Sequence, residues 1–188
     1  MKIYLHFEIE VISDKALYYD KHLLINVSEG CSIEAKAYSA NNFAEAKYGY
    51  LKLNGVTMWK ASFIGDYPNK YGANMFIVDT STCTVVESRN YNTYADVGAA
   101  SRLRGYIEGL NDGTVLVGVS GDEASIYLAE AEATLAGLGA DVSDVGYRGA
   151  WAFAAEIGDP SNTVLDKELT ETSAMERQPI ITVYFAGA

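Results

Sequence analysis

The chain is short of the residues around which most enzymes and metal proteins are built. It holds 2 histidines, His6 and His22, and 2 cysteines, Cys31 and Cys83. So few soft ligands exclude a thiolate-rich metal site, and two histidines without a nearby cysteine pair make no zinc set. At most one disulfide can form, and two buried free thiols stay equally open, because separation in sequence says nothing of distance in space. Basic residues are scarce too, 14 against 25 acidic ones, which gives a net charge of −11. A field of that sign repels phosphate backbones and anionic lipid surfaces, so neither nucleic acid nor a membrane surface is expected as a partner. No apolar run reaches the ~18 residues of a bilayer span, which excludes a helical membrane insertion. The first residues lack the basic stretch and apolar core of a signal peptide, so the expected location, extracellular or on a virion, requires a leader already removed, another export route, or release by lysis.

Catalytic and cofactor motifs are missing as well. Gly118-Val119-Ser120-Gly121 resembles a nucleophile elbow, but its second glycine comes one position early and both histidines lie upstream, so a serine triad would lack its base. A plain strand-to-helix turn accounts for the motif. Gly137-Leu138-Gly139 follows a helix pattern and has no third glycine, so it is no dinucleotide fingerprint. There is no phosphate loop and no calcium-loop pattern. Carboxylate pairs are plentiful, but a solvated surface explains them more simply than glycoside hydrolysis. No cofactor, no metal and no enzymatic activity are expected. Asn26-Val27-Ser28 is the one glycosylation sequon, and it lies in an apolar run.

What is present is a compact, strand-rich pattern. With 188 residues and 49% hydrophobic content the chain is long enough for one sizeable core. Ile3 to Val11 alternates strictly, as do Ile181, Val183 and Phe185, and these terminal strands are expected to pair with each other or across subunits in an added sheet. Between them, strands are expected at 23–27, 32–39, 48–53, 56–63, 72–79 and 84–91, with Asn54-Gly55 as a hairpin turn. A first helix is expected over Ala95 to Leu110, carrying Val97, Ala100, Leu103 and Ile107 on one stripe. Thr114 to Val119 reads as a buried strand. A second helix is expected from Asp122, its cap, to Leu138, with Ala124, Leu128, Ala131 and Leu135 facing inward and Gly139 ending it. Trp151, Phe153, Ala155 and Ile157 alternate as a half-buried strand, entered through Gly146-Tyr147-Arg148-Gly149. The polar stretch from Asp159 to Arg177 reads as a loop or exposed linker.

Three blocks together resemble one family. They are the pair Gly72 to Asp79 and Thr84 to Tyr91, the run Asp112 to Val117 leading to Asp122-Glu123-Ala124-Ser125, and Leu138-Gly139 followed by Gly146-Tyr147-Arg148 and Trp151-Ala152-Phe153. Their order is similar to that of the interleukin-like EMT inducer (ILEI) domain. The resemblance runs from about Lys52 to Val164 and implies an α+β fold. Two antiparallel β-sheets, sandwich-like, would be flanked by two main helices, with extra N- and C-terminal strands. It divides the chain into residues 1–51, an ILEI-like domain at 52–164, and a linker with a C-terminal strand at 165–188. Three departures stand out. Gly149 replaces a usual acidic residue, Ala154 a frequent cysteine and Cys83 the hairpin glycine, so the family's disulfide pattern does not transfer.

Because an ILEI-type domain in a glycosyltransferase stem binds sugar, the resemblance implies a saccharide site at Asp122 and Arg148, with Tyr147 and Trp151 as aromatic partners. The chemistry suits a sugar. A carboxylate accepts from two adjacent hydroxyls, a guanidinium donates two parallel hydrogen bonds, and an aromatic face covers the apolar side of a pyranose. Each residue also has a structural reading: Asp122 as a helix cap, Arg148 as the partner of Asp122 or Asp144, and Trp151 as core. The expected function is a non-catalytic carbohydrate-binding or adhesion module for glycans or glycoconjugates, secreted or displayed on a virion or tail fibre. The alternatives are a structural or assembly protein without ligand and a secreted cytokine-like ligand. A homo-oligomer or larger assembly is expected from the terminal strand edges.

Overall fold

The computed structural model describes residues 30–39, 48–62, 70–168 and 178–185. The expected strands at 3–11 and 23–27, the sequon and both histidines lie outside the described residues. Two antiparallel sheets and two helices make up the rest. Strands β1 (Cys31–Lys36), β2 (Tyr48–Leu53), β3 (Val56–Ser62) and β9 (Ile180–Phe185) form one sheet in the order β3-β2-β1-β9. Strands β4 (Gly72–Asp79), β5 (Thr84–Tyr91), β6 (Val115–Gly121), β7 (Ala150–Glu156) and β8 (Asp159–Glu168) form the other, in the order β5-β4-β6-β7-β8. Helices α1 (Ala99–Glu108) and α2 (Ala129–Gly137) complete the described elements. The α+β, sandwich-like architecture is therefore as expected.

Strand parity explains how the layers stack. On β6 and β7, Val115, Val117, Val119, Ala150, Ala152 and Ala154 face the smaller sheet and share a core with Ile33, Ala35, Leu51 and Ile181. Their alternates Leu116, Trp151, Phe153 and Ala155 face the helices and pack with Leu103, Ile107, Leu128 and Leu135. The five-stranded sheet is thus the middle of three layers. That corrects the half-buried reading of β7, whose residues are buried on both faces. The three alanines on one side of β7 present little bulk to the smaller sheet, while the rings of Trp151 and Phe153 fill the space under the helices.

The Asn54-Gly55 turn forms as expected, with positive φ at both residues (47° and 79°), as a two-residue primed hairpin requires. Cys31 and Cys83 are disulfide-bonded, with Cα atoms 5.1 Å apart. The bridge joins β1 of one sheet to the β4–β5 turn of the other, and decides a question the sequence left open. Cys83 has φ 51°, the left-handed region that a glycine occupies most easily, which accounts for the glycine usual at that turn.

Four other expectations are corrected. Helix α1 starts at Ala99 instead of Ala95, because Asn92 and Asp96 turn the chain first. The Asn92 carbonyl and side chain accept from Ala95 N–H, and Asp96 Oδ1 accepts from Gly98 N–H at 3.0 Å. Val97, placed on the inward stripe, is 75% exposed. Residues 159–168 are not a linker but the edge strand β8, whose polar composition and early proline suit an edge. The expectation for the C-terminal strand is not among these: β9 pairs with β1 on one side, register Ile33 to Val183, and its expected pairing with residues 3–11 falls outside the described residues. Finally, α2 begins at Ala129, not at Asp122.

The reason for the late start of α2 is tertiary. Asp122 has φ 54°, and its N–H donates to the Tyr38 carbonyl at 2.8 Å. The carbonyls of Glu123 and Ala124 accept from Gly72 N–H and Thr93 Oγ1, both at 2.8 Å. Backbone groups already engaged by β4 and the 91–95 turn cannot join a helical ladder. The apolar stripe is nevertheless buried as expected, Ala124, Leu128, Ala131 and Leu135 all being 1% exposed or less.

Candidate functional site

The end of β6 and the turn before β7 meet at one edge of the middle sheet. Glu123 ties them together. Its carboxylate accepts from Ser125 N–H and from Ser125 Oγ at 2.6 Å with one oxygen, and from the backbone N–H of Arg148 with the other. The Arg148 carbonyl accepts in turn from Ser39 Oγ at 2.7 Å. Glu123 is 1% exposed, so this is a buried carboxylate satisfied by hydrogen-bond donors on two segments. It was not among the residues picked from sequence. Its place in the Asp-Glu-Ala-Ser block was the signal available.

Asp122 and Arg148, which were picked, share an unusual backbone state. Both are non-glycine residues in the left-handed region, at φ 54° and 58°. Such a conformation costs of order 1–3 kcal/mol at each residue and tends to occur where function holds the chain in place. The Asp122 side chain is almost buried, the residue being 2% exposed, and its charge acts on the Arg148 guanidinium. Burial works against that guanidinium's charge, but the Tyr147 hydroxyl and the charges of Asp122 and Glu123 outweigh it and raise its pKa above the ordinary arginine value. Arg148 Nε donates to Tyr147 Oη at 3.2 Å, and the guanidinium lies 5.3 Å from the Tyr147 ring centroid.

Tyr147 is 53% exposed and presents its ring to solvent beside Arg148. Trp151 is 1% exposed, with its ring stacked on Phe153 at 5.8 Å, and so belongs to the helix-side core. Its backbone N–H donates to Ser120 Oγ at 2.9 Å. That bond explains Ser120. The serine lies inside a strand at 1% exposure, where its hydroxyl satisfies the N–H of Trp151. Gly118 stands opposite Phe153, and a Cβ there would come within 2.3 Å of that ring. Both features of the elbow-like motif are therefore packing requirements, and the strand-to-helix turn expected there is instead continuous strand.

The departure at Gly149 has a similar cause. A Cβ at Gly149 would approach Val145 Cγ1 to 2.5 Å and the Glu168 carbonyl to 3.0 Å. An acidic side chain has no room there without movement of the backbone. Arg148 does not pair with Asp144, which binds Lys167 instead. Beneath the site, Tyr38 is fully buried and its hydroxyl accepts from Lys70 N–H at 3.0 Å. Burial pushes the Tyr38 phenol above its ordinary value, with the nearby Asp122 charge adding to the shift. Beside it, Tyr71 stacks on Tyr94 at 5.1 Å. Among the described residues no group of three or more His, Cys, Asp or Glu is placed to hold a metal ion, and no helix is long and apolar enough to cross a membrane.

A middle sheet covered by helices on one face and a second sheet on the other, with polar residues in the left-handed region at one edge, defines a sandwich-like α+β module. Residues 71–159, the part from β4 to the start of β8, match the family model described as interleukin-like EMT inducer. The chain is also 31% identical over 97 residues to the cell migration-inducing and hyaluronan-binding protein of Mus musculus, and 30% identical over 97 residues to that of Homo sapiens. The alignments cover 50% of this chain but 7% of each relative, so this chain matches a small part of those proteins. The smaller sheet lies outside the matched family region.

Proposed function

We propose that the protein is a non-catalytic carbohydrate-binding module, with residues 52–164 as its binding unit and the strands on either side completing its second sheet. The observation that carries this reading is the pair of left-handed residues, Asp122 and Arg148, locked into facing segments by the Glu123 carboxylate. A polar arrangement held in a costly conformation is preorganised for a ligand with hydroxyls to satisfy. Arg148 donates to adjacent sugar oxygens, Tyr147 covers an apolar ring face, Asp122 sets the charge, and Trp151 supports the turn from below. The name of the similar mouse and human proteins, hyaluronan-binding, supports a glycan as the ligand class. The disulfide supports an oxidising, extracellular setting, whether the protein is secreted or displayed on a larger particle such as a virion.

Glycan-array screening tests the reading directly. Single-site affinity is expected at about 0.1 to 1 mM, because a sugar exchanges good hydrogen bonds with water for similar ones with protein, and avidity comes from repeated copies. Asp122→Asn and Arg148→Asn keep a residue type that tolerates the left-handed backbone and remove the charge, so both are expected to abolish binding with the fold intact. Tyr147→Ala weakens it. An array without signal for the wild type, or variants that bind as the parent does, rejects the site. A second reading, an assembly block, is favoured by the exposure of Val56 and Met58 on β3 and of Ile180 and Tyr184 on β9. Light scattering separates the two: a concentration-independent monomer removes the assembly reading.

A further inference from the structure

A groove of about 620 Å³ between β5 and α1 is lined by Arg89, Asn90, Tyr91, Arg102, Gly105 and Tyr106, none of which belongs to the saccharide candidates above. Its size is that of a small-molecule site. Two features mark it as built for a ligand. The phenol oxygens of Tyr91 and Tyr106 are buried; the Arg89 guanidinium donates toward the Tyr91 oxygen, but neither phenol proton has an acceptor among the described residues. Tyr91 as a whole is only 7% exposed. Buried hydroxyl protons nearly always have an acceptor, so two without one in the wall of one groove call for a group that accepts from them.

The second feature is charge. Arg89 and Arg102 line the groove and no carboxylate does, on a chain of net charge −11. Each guanidinium is held by a surface carboxylate outside the lining, Arg89 by Glu87 and Arg102 by Asp96. Such exposed pairs contribute little, so either guanidinium can turn to a competing anion at small cost. The Arg89 guanidinium lies over the Tyr106 ring, 4.4 Å from its centroid, and its movement uncovers the phenol. Burial keeps both phenols protonated: Tyr91 is shifted upward, with Arg89 pulling the other way, and Tyr106 is pushed up to about 12. They therefore donate at any physiological pH.

We propose that this groove is a second binding site, independent of the first, for an acidic sugar: its carboxylate bridges Arg89 and Arg102, and its oxygens accept from the Tyr91 and Tyr106 hydroxyls. Two guanidinium forks suit a planar carboxylate. The two phenols and the volume of the groove, about 620 Å³, extend the fit beyond a bare ion to a hydroxylated ring.

Gly105 supplies the test. It lies in α1 at ordinary helical φ, and a Cβ there meets nothing within 4 Å. Gly105→Gln fills the groove while removing a helix-weakening residue, so the variant is expected to be at least as stable as the parent. Tyr91→Phe deletes a hydroxyl whose proton has no acceptor, and Arg89 keeps its Glu87 partner, so the variant is likewise expected to fold. Titrating ¹⁵N-labelled protein with glucuronate is expected to give saturable shifts at the Arg89, Arg102 and Gly105 resonances. Glucose at the same concentration gives none. Gly105→Gln and Tyr91→Phe are expected to weaken glucuronate binding at least tenfold, and Asp122→Asn to leave it unchanged. Equal shifts with glucose, or unaltered binding in Gly105→Gln, overturn the site. Equal shifts with acetate overturn its assignment to an acidic sugar. Since the first site is read through Asp122 and Arg148, failure of either proposal is seen without the other.

Discussion

The Glu123 carboxylate, buried at the end of β6, accepts the backbone N–H of Arg148 in the turn before β7. Residues 25 positions apart in sequence are thereby fixed as neighbours, and Arg148 is held in a backbone state that its side chain does not favour.

Glu123→Gln tests that relationship. The amide keeps the shape but turns one acceptor oxygen into a donor, which faces either Arg148 N–H or the donors of Ser125. A loss of about 1–3 kcal/mol in unfolding free energy is expected from the unsatisfied buried groups. Saccharide binding should weaken more than stability alone explains, by about tenfold, and the Arg148 amide should exchange faster with solvent. Unchanged exchange at Arg148 contradicts the tie.

In the core, Leu135→Ala removes a fully buried side chain from under α2 and is expected to cost about 2–5 kcal/mol. Gly118→Ala acts in the opposite sense. Its methyl group meets the Phe153 ring at 2.3 Å, so overpacking of about 1–3 kcal/mol is expected. Denaturant melts measure both. If Gly118→Ala is neutral, the ring has room to move and packing does not explain that glycine.

Acid should weaken the smaller sheet through Glu34. Its carboxyl is held below its ordinary value of 4.5, first by the Tyr50 hydroxyl at 2.6 Å and then by the Lys52 ammonium at 2.9 Å. A depressed folded-state pKa contributes stability that is present above 4.5 and is lost as pH falls through the folded value. Wild type is therefore expected to melt above Glu34→Gln at pH 6 to 7, as the order of magnitude of surface pairs allows. The difference should vanish as pH drops well below 4.5. A gap that persists in acid shows a packing effect instead.

The disulfide should contribute about 2–4 kcal/mol, as is typical of a bridge that closes a long loop, here across 52 residues. Cys31→Ala with Cys83→Gly removes the bridge but leaves the left-handed turn residue unstrained, so it should melt above Cys31→Ala with Cys83→Ala. Reductant should lower the midpoint of the wild type and of neither variant.

Local pattern was enough to find most of the described strands. Strands β2, β4 and β5 were legible to the residue, because alternation, β-branched residues and an Asn-Gly turn act over a few positions. The inward faces of both helices were legible too, apart from Val97 ahead of α1, since burial follows the apolar stripe. Strand β8 was not, because among the described residues it pairs on one side only, and a polar strand at such an edge needs few apolar residues. The proposed site was half legible. Asp122, Tyr147 and Arg148 stand out through the family-like blocks, whereas Glu123 carries no mark of its own until the fold brings Arg148 to it.

By itself, then, the sequence determined which segments extend, which faces turn inward and that the chain resembles one family, because those follow from neighbours within a few residues. Only the tertiary structure decided the rest. Asp122 was kept out of a helix by Tyr38, and the groove at Arg89 and Tyr106 arises from a strand and a helix that meet. Pairing Cys31 with Cys83, and burying β7 on both faces, likewise required two sheets to stack. In each case the deciding contact joins residues far apart in the chain, and such contacts form only when the whole core closes.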